Sequence, residues 1–315
     1  MAEHSPKPEP HPSEPGRVRS DSSTATGTPD EGSSDARQQA ELLFRVSDLR
    51  LSLPDMTRKP LFGRAPAVEI LKGLSFELPV GAIVGVVGES GSGKSTLGRA
   101  LVRLLEPTAG RIEFRGMDIT HLGDAALRPL RRDLQMIFQD PMSSLNPRHT
   151  VGRIIAAPME RFGVERPRQR ALEALHRVGL PVEFASRYPH ELSGGQRQRV
   201  GIARAVALEP AFILADEIVS GLDVSSQAQV LALLQRLAAD LHLTIGFISH
   251  DLAVIRSLCS HVIVLDDGVI AEAGPCAAVF DHPGSAITRA LIDAIPLPEI
   301  DPGWFDRQSS ATPLV

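Results

Sequence analysis

Nine consecutive residues have the types and spacing needed to hold a row of phosphate groups. They follow the pattern Gly-x-x-x-x-Gly-Lys-Ser and comprise Gly88, Glu89, Ser90, Gly91, Ser92, Gly93, Lys94, Ser95 and Thr96. The glycines let the backbone curl so that its amides point at phosphate oxygens. Lys94 would reach the β- and γ-phosphates, and Ser95 would bind Mg²⁺. The sequence therefore predicts a phosphate loop for a nucleoside triphosphate and Mg²⁺.

The residues around this loop supply the context that the pattern requires. Residues 83–87 are a continuous apolar run, typical of a strand that is buried on both faces of a sheet. A helix predicted at 94–105 would add the positive end of its dipole to the loop. This context argues against the alternative, a Gly- and Ser-rich turn that matches the pattern by chance.

Two adjacent carboxylates follow another short apolar run, Phe212 to Ala215. Asp216 is predicted to reach the Mg²⁺ through water, and Glu217 is predicted to orient and polarise the attacking water. Taken alone, the pair would fit a strand that ends in solvated acids equally well. A phosphate loop earlier in the same chain favours the catalytic interpretation.

A third pattern, Leu-Ser-Gly-Gly-Gln-Arg, occupies Leu192 to Arg197 just before a predicted helix. Ser193 is a good N-cap, and the amides of Gly194 and Gly195 are free to meet an anion. An ordinary capped helix with flexible glycines is the alternative, and the full string from Glu191 onwards disfavours it.

Composition limits the classes of protein that this chain can belong to. Its 315 residues, 43% of them hydrophobic, suffice for one large α/β domain with appendages. Aromatic residues make up 4% and the net charge is −5, which argue against a nucleic-acid binder. Cys259 and Cys276 have no metal-ligand spacing and are predicted to be buried thiols. No apolar run is long enough to span a bilayer, so a membrane role would require a partner.

Patterns of apolar residues predict the elements that must position these groups. Strands are predicted at 42–53, 74–78, 83–87, 212–215 and 244–249, with a closing hairpin of 263–265 and 269–271 around Asp267-Gly268. Helices are predicted at 94–105, within 150–190, after Gly195, at 225–239 and at 287–295. One helix begins at Pro167 and is predicted to place Leu172, Leu175 and Val178 on one face. Residues 1–40 are rich in Pro, Ser and acidic residues and are predicted to form a disordered tail.

The phosphate loop, the Leu-Ser-Gly-Gly-Gln motif and the acidic strand end, which follow one another in this order along the chain, resemble those of the ATP-binding subunits of ABC transporters, over about residues 42–295. The resemblance implies an α/β fold, a phosphate-loop NTPase of ABC type with a parallel-core sheet flanked by helices. It further implies an antiparallel β edge subdomain, a helical subdomain at about 145–200 within a domain at 41–274, and a C-terminal extension at 275–315. Ser193, Gly194, Gly195 and Gln196 would contact ATP that is bound to a partner subunit.

Three smaller motifs fit the same resemblance. Gln139 resembles the glutamine that links the nucleotide to the membrane subunit, and Asp223 resembles the loop residue at the dimer interface. His250 resembles the switch histidine that contacts the γ-phosphate. The implied catalytic residues are Glu217, His250 and Gln139, and the implied metal contacts are Ser95, Gln139 and Asp216. Phe62 is one candidate for stacking on the base, although a surface Phe in a loop fits equally well.

A narrower resemblance, to the oligopeptide, dipeptide and nickel importer ATPases, rests on residues 140–152, 188–192 and 282–298. It implies two membrane permease subunits, an extracytoplasmic solute-binding protein and a second related ATPase, with a homodimer as the alternative. The chain would then lie peripherally on the cytoplasmic side of the inner (plasma) membrane and power uptake of peptides, with nickel or another small solute still open. Ile218 and Val219 depart from the Pro-Thr that family members often carry, and activity is expected to survive.

The alternatives to transport are a soluble ABC ATPase in DNA repair or ribosome work and a module that only senses ATP. Repair members need a long coiled coil, and the segment from Lys94 to Ser193 is short and contains several Pro and Gly residues. Ribosomal members carry two nucleotide domains, and this chain has one. Glu217 and His250 argue against a module that cannot hydrolyse ATP.

Overall fold

The structure, a computed structural model, describes residues 41–55, 63 and 66–294. The chain divides into two units, Met1–Gln39 and Ala40–Val315, and the described residues all belong to the second. The tail predicted for residues 1–40 lies outside the described residues, as do Phe62 and the part of the C-terminal extension after residue 294.

The described residues form ten strands, most of which belong to one mixed sheet. In chain order they are β1 (Leu42–Pro54), β2 (Ala67–Pro79), β3 (Ile83–Gly88), β4 (Ala109–Phe114), β5 (Met117–Asp118), β6 (Leu134–Ile137), β7 (Phe212–Asp216), β8 (Thr244–Ile248), β9 (His261–Asp266) and β10 (Val269–Pro275). The larger sheet has the order β10-β9-β3-β8-β7-β6, and its strands from β9 to β6 run parallel.

Strand β3 lies inside this sheet, between β8 and β9. Val84 pairs with Gly246 of β8 on one side and with His261 of β9 on the other. Every residue of β3 after Ile83 is buried, which confirms the strand predicted from the continuous apolar run. The predicted hairpin is also confirmed, because β10 folds back antiparallel on β9 around Asp267 and Gly268.

The smaller sheet is antiparallel, with the order β2-β1-β4-β5. It packs against the parallel sheet through a shared cluster of buried side chains. Phe44 of β1 meets Phe212 of β7 edge to face, with 4.9 Å between ring centroids, and also contacts Phe114 of β4. Such edge-to-face pairs are favourable beyond the area that they bury, so the two sheets are joined at a specific point.

The described residues also form ten α-helices. They are α1 (Lys94–Leu101), α2 (Asp124–Leu130), α3 (Pro141–Ser144), α4 (Val151–Arg161), α5 (Pro167–Arg177), α6 (Gly194–Val206), α7 (Val224–Leu241), α8 (Leu252–Leu258), α9 (Cys276–Asp281) and α10 (Ala286–Asp293). Between α5 and α6 lie the 3₁₀ helices Val182–Ser186 and Pro189–Glu191. The helices from α3 to α6 are inserted between β6 and β7, and Ile155, Met159 and Leu175 are fully buried among them. None of the described helices is both long and apolar enough to cross a membrane.

Helix α1 is shorter than predicted, because the chain leaves it after Leu101. Val102 closes the helix and Arg103 adopts a left-handed φ of 54°. The Arg103 guanidinium donates hydrogen bonds to the carbonyls of Ile119 and Leu105, which fixes the turn. Residues 102–105, predicted as helix, therefore turn towards β4.

Helix α5 begins at Pro167 as predicted, but its buried face differs from the prediction. Leu175 and Val178 are fully buried, whereas Leu172 is 39% exposed. Ala171 and Ala174 take the inward positions on α5, which packs against α4. The sequence pattern did not reveal β4, β5, β6, α2, α3, α8 or α9.

Both thiols are buried and free, as the sequence predicts. Burial raises the pKa of the Cys259 and Cys276 thiols, so both thiols stay protonated at neutral pH.

At the end of the described chain, Glu272 of β10 accepts hydrogen bonds from the N–H groups of Gly284 and Ser285, while Ser285 caps α10. This contact fixes the start of α10 against the sheet.

A substitution at Gly98 would show how closely α1 packs on the sheet. A Cβ at this position would lie 2.6 Å from Leu214 Cδ1 and 3.0 Å from Ile248 Cδ1. Gly98→Ala is therefore expected to lower the free energy of unfolding by about 1–3 kcal/mol, measured by urea denaturation.

Gly201 provides the matched control, because it lies inside α6 and no atom would stand within 4 Å of its added Cβ. Gly201→Ala is expected to leave the free energy of unfolding unchanged or to raise it by about 0.4–1 kcal/mol. Equal losses in the two variants would contradict the packing explanation.

Candidate nucleotide site

The phosphate loop connects β3 to α1 with a backbone that only glycine fits at several positions. Gly88 has a φ of 145°, and a Cβ there would lie 2.1 Å from the carbonyl oxygen of Leu265. Gly91 and Gly93 have φ values of 85° and 103°. Gly93 caps α1 without a side chain, so the first N–H groups of the helix remain available to an anion in the cleft.

Lys94 lies folded across this loop. Its Nζ donates hydrogen bonds to the carbonyl oxygens of Gly88, at 2.8 Å, and Glu89, at 2.6 Å. Burial lowers the pKa of Lys94, and the nearby carboxylates of Glu217 and Asp216 act in the opposite direction. The loop thus holds the ammonium group beside the helix N-terminus, where two sources of positive potential coincide.

Asp216 stands at the end of β7, opposite the loop. Its Oδ1 accepts a hydrogen bond from Ser95 Oγ at 3.0 Å, and Arg99 Nη2 lies 3.8 Å from its Oδ2. Burial raises the pKa of the Asp216 carboxyl, whereas the Ser95 hydrogen bond and the charge of Arg99 lower it. A hydroxyl and a carboxylate oxygen are therefore held together, and both are ligands that hard divalent cations prefer.

Glu217 is held in a left-handed conformation with a φ of 49°. Its N–H donates to the carbonyl of Ile248, and its own carbonyl accepts from Ser220. The carboxylate receives a hydrogen bond from Gln139 Nε2 at 2.8 Å on Oε2, while His250 Nδ1 lies 3.6 Å from Oε1. Three loops, after β6, β7 and β8, therefore bring the three predicted catalytic side chains together.

A cavity of about 480 Å³ extends from the phosphate loop to the smaller sheet. At the phosphate end it is lined by loop residues together with Glu217 and His250. At the other end Leu53 of β1 and Ile70 of β2 form an aliphatic wall. This end of the described cavity is where a flat apolar group such as a base would fit.

The surface that carries Ser193 and its neighbours does not line this cleft. Ser193 caps α6 as predicted: its Oγ accepts from Gln196 N at 3.3 Å, while Gln196 Oε1 accepts from Ser193 N at 2.9 Å. This reciprocal arrangement is a capping box. None of Ser193, Gly194, Gly195 and Gln196 lines the cavity that contains Lys94.

Asp223 is positioned near this second surface and not in the cleft. It caps α7, with Oδ1 accepting from Ser226 N and Oδ2 from Ser226 Oγ at 2.6 Å. These hydrogen bonds lower the pKa of the Asp223 carboxyl. Ser226 Oγ would stand 3.5 Å from a Cβ at Gly195, so the predicted loop residue and the glycine pair are neighbours.

Two residues near the site were missed by sequence reasoning. Arg99 lies one helical turn after Ser95, so the i, i+4 spacing could have placed both on one face of α1. Gly268 donates its N–H to the carbonyl of Ser92 in the phosphate loop. This second contact joins residues far apart in the chain, and no local pattern signals it.

A phosphate loop between a buried parallel strand and a helix, with carboxylates at the end of another strand of the same sheet, defines a phosphate-loop NTPase. Residues 71–220 match the family model described as ABC transporter. The chain is 51% identical over 241 residues to a putative peptide import ATP-binding protein of Brucella ovis, covering 76% of each chain. It is 45% identical to the oligopeptide transport ATP-binding protein AppF of Bacillus subtilis, covering 82% of this chain and 79% of AppF.

Among solved structures, the ATP-binding cassette MJ0796, in a dimeric post-hydrolysis state with ADP and Pi, resembles this chain with a TM-score of 0.64. The two are 30% identical, over 74% of this chain and 98% of MJ0796. The chain belongs to the ABC transporter family and is an ABC ATPase. The predicted fold class, α/β with a parallel core, an antiparallel edge sheet and inserted helices, is confirmed.

Proposed function

We propose that this chain binds and hydrolyses ATP to power the import of peptides through separate membrane permease subunits. The observation that carries the proposal is the convergence of Gln139 and His250 on the Glu217 carboxylate, beside the phosphate loop. A site that only sensed ATP would have no need of a carboxylate held between two polar side chains.

The residues of the cleft divide the work of binding between them. Loop amides, Lys94 and the N-terminus of α1 would hold the triphosphate, from Gly88 to Thr96. Ser95, Asp216 and Gln139 offer a hydroxyl, a carboxylate and an amide oxygen, a donor set that suits Mg²⁺. When bound, Mg²⁺ would neutralise charge on the β- and γ-phosphates. Leu53 and Ile70 would face the base.

Glu217 would accept a proton from the attacking water. As the water oxygen bonds to the γ-phosphorus, the bond from that phosphorus to the ADP oxygen breaks. Gln139 and His250 would fix the carboxylate, and His250 would also contact the γ-phosphate. The rest of the catalysis would be positioning and charge stabilisation, as phosphoryl transfer requires.

A second ATPase subunit would complete each site. Ser193, Gly194, Gly195, Gln196 and Asp223 lie outside the cleft of their own chain, which supports a role in binding ATP held by a partner. Val224, in the first turn of α7 beside Asp223, is 86% exposed, as expected of an interface residue. The partner would be a related ATPase, with a second copy of this chain as the alternative.

A groove beside Gln139 would receive a cytoplasmic segment of the permease. The groove has a volume of about 490 Å³ and lies between the sheet and the inserted helices. Its lining includes apolar and cationic side chains, namely Leu104, Met136, Phe138, Ile154, Phe162, Arg131, Arg161 and Arg204. Because Phe138 directly precedes Gln139, an occupant of the groove would act on the residue that holds Glu217.

Peptide cargo and membrane location rest on the relatives, whose names describe peptide import and oligopeptide transport. These names favour transport over work in DNA repair or on ribosomes. The chain would lie on the cytoplasmic side of the inner (plasma) membrane, with an extracytoplasmic solute-binding protein delivering the cargo. The domain boundaries at 41–274 and 275–315, with the helical part at about 145–200, belong to the same proposal.

Glu217→Gln tests the catalytic role. The variant is expected to bind ATP normally and to lose roughly 10²- to 10⁴-fold in hydrolysis, because an amide cannot take the proton. Glu209→Gln is the matched control: Glu209 also has a left-handed φ, of 51°, but its carboxylate pairs with Arg170 and Arg177 and does not line the cleft. Near-normal turnover of Glu217→Gln would refute the assignment.

Phe138→Ala tests the groove. Removing an aromatic anchor is expected to weaken permease association about tenfold or more and to abolish peptide uptake, while ATP binding by the purified chain is unchanged. Leu172→Ala is the control, because Leu172 is 39% exposed and Phe138 41%. Equal uptake in the two variants would place the permease contact elsewhere.

The cargo is tested by uptake of labelled di- and oligopeptides in cells that lack this subunit, with wild type or Glu217→Gln restored. Uptake is expected only with wild type. Peptide uptake that is unchanged in the deleted strain would refute peptides as the cargo or reveal a redundant system, and labelled nickel would then be tried.

A further inference from the structure

The turn between β9 and β10 is hydrogen-bonded both to the phosphate loop and to strand β2 of the smaller sheet. Gly268 donates its N–H to the Ser92 carbonyl in the phosphate loop, at 3.1 Å. The Gly268 carbonyl accepts the N–H of Lys72 in β2, at 2.9 Å. Lys72 Nζ also pairs with Asp267 Oδ2 at 2.6 Å. One two-residue turn therefore connects the phosphate loop to the smaller sheet.

No larger residue fits at this point of contact. A Cβ at Gly268 would lie 2.2 Å from the carbonyl oxygen of Ile70, and the φ of Gly268 is 79°. Gly93 of the phosphate loop approaches the same strand: its Cβ would lie 3.3 Å from the Ile70 oxygen and 3.0 Å from Leu71 Cδ2. Residues 70–72 of β2 are thus enclosed between two glycines.

The enclosed segment also carries a wall of the cleft, because the side chain of Ile70 lines the cavity opposite the phosphate loop. A ligand that spans the cavity must match the separation between Ile70 and the loop. In a site whose separation is fixed beforehand, less free energy is lost in ordering on binding.

We propose that Gly268 is a positioning residue for ATP: its two backbone hydrogen bonds fix the phosphate loop relative to the Ile70 wall. Gly268 does not line the cleft and acts only through Ser92 and Lys72. The proposal rests on the nucleotide site described above. It adds to that site a contact from the β9–β10 side of the larger sheet, which would contribute to the affinity for ATP.

Gly268→Asn tests this role in the full-length chain. Asn tolerates a left-handed φ, so the main effect of the change is the collision with Ile70 and the loss of the two hydrogen bonds. The dissociation constant for MgATP, measured by calorimetry, is expected to rise about tenfold or more. The kcat at saturating ATP is expected to stay within about twofold, because Glu217, Gln139 and His250 are untouched.

Gly116→Asn is the matched control. Gly116 follows Arg115 in the turn between β4 and β5, and both residues have positive φ values, 50° and 75°, as do Asp267 and Gly268. No atom would stand within 4 Å of a Cβ at Gly116. This variant shares the change in the turn but not the collision, and its affinity for MgATP is expected to equal that of wild type.

The variant Lys94→Ala shows whether a negative result refutes only the role of Gly268 or also the proposed location of the nucleotide site. Loss of MgATP binding in Lys94→Ala, with wild-type affinity in Gly268→Asn, would overturn the role of Gly268 and leave the site standing. Unchanged affinity in Lys94→Ala would overturn the site. Equal losses of affinity in Gly268→Asn and Gly116→Asn would also overturn the inference.

If Gly268→Asn does not fold, Asp267→Gly replaces it. This change removes the ion pair with Lys72 and puts a second glycine in the turn, so the turn that carries both backbone hydrogen bonds becomes less rigid and holds the phosphate loop less firmly. A twofold to threefold weaker affinity for MgATP with unchanged kcat is expected, since the pair is largely exposed. Wild-type affinity in this variant would contradict the inference.

Discussion

Backbone hydrogen bonding among parallel strands provides the frame on which the nucleotide site depends. Because β3, β8, β7 and β6 run in the same direction, the segments that follow them all emerge at one edge of the sheet. The phosphate loop, His250, the Asp216-Glu217 pair and Gln139 come from those four segments. Strand register therefore sets the approximate distances between their reactive groups, and the side-chain conformations determine the final contacts.

Electrostatics within this frame is a balance of buried charges. Lys94 and Asp216 are both buried, and burial disfavours the charged form of each. Each is stabilised by the other and by neighbours of opposite charge, Glu217 for the lysine and Arg99 for the aspartate. The proposed ligand, a triphosphate with its cation, would place a charge of opposite sign beside each of these two groups.

Much of the site could be predicted because its chemistry is local in sequence. The phosphate loop, the acidic strand end and the Ser193 cap each depend on a few consecutive residues. The continuous apolar run of β3 likewise sufficed to predict that this strand is buried. Strands β4 to β6 were missed because they are short and only partly apolar, so they lack a clear period. The end of α1 was predicted too late in the chain. Arg103 donates a hydrogen bond to the carbonyl of Ile119, and a local pattern does not reveal this contact.

Contacts between distant segments were beyond prediction from one sequence. Gln139 and His250 were assigned to the site only by family resemblance, and neither their contacts with Glu217 nor the contact of Gly268 with Ser92 was expected. Tertiary packing also decided which side of α5 is buried: Ala171 and Ala174 face inward while Leu172 is exposed. A local pattern records none of these neighbours.

The burial of the two thiols makes this chain a convenient subject for spectroscopy. Cys259 and Cys276 are the only cysteines in the sequence, and burial keeps both protonated and shielded from reagents. A cysteine introduced at an exposed position would thus be the one group that takes a maleimide label in the native protein. The distance between labels on two chains would then report whether they assemble as proposed, without prior removal of the native thiols.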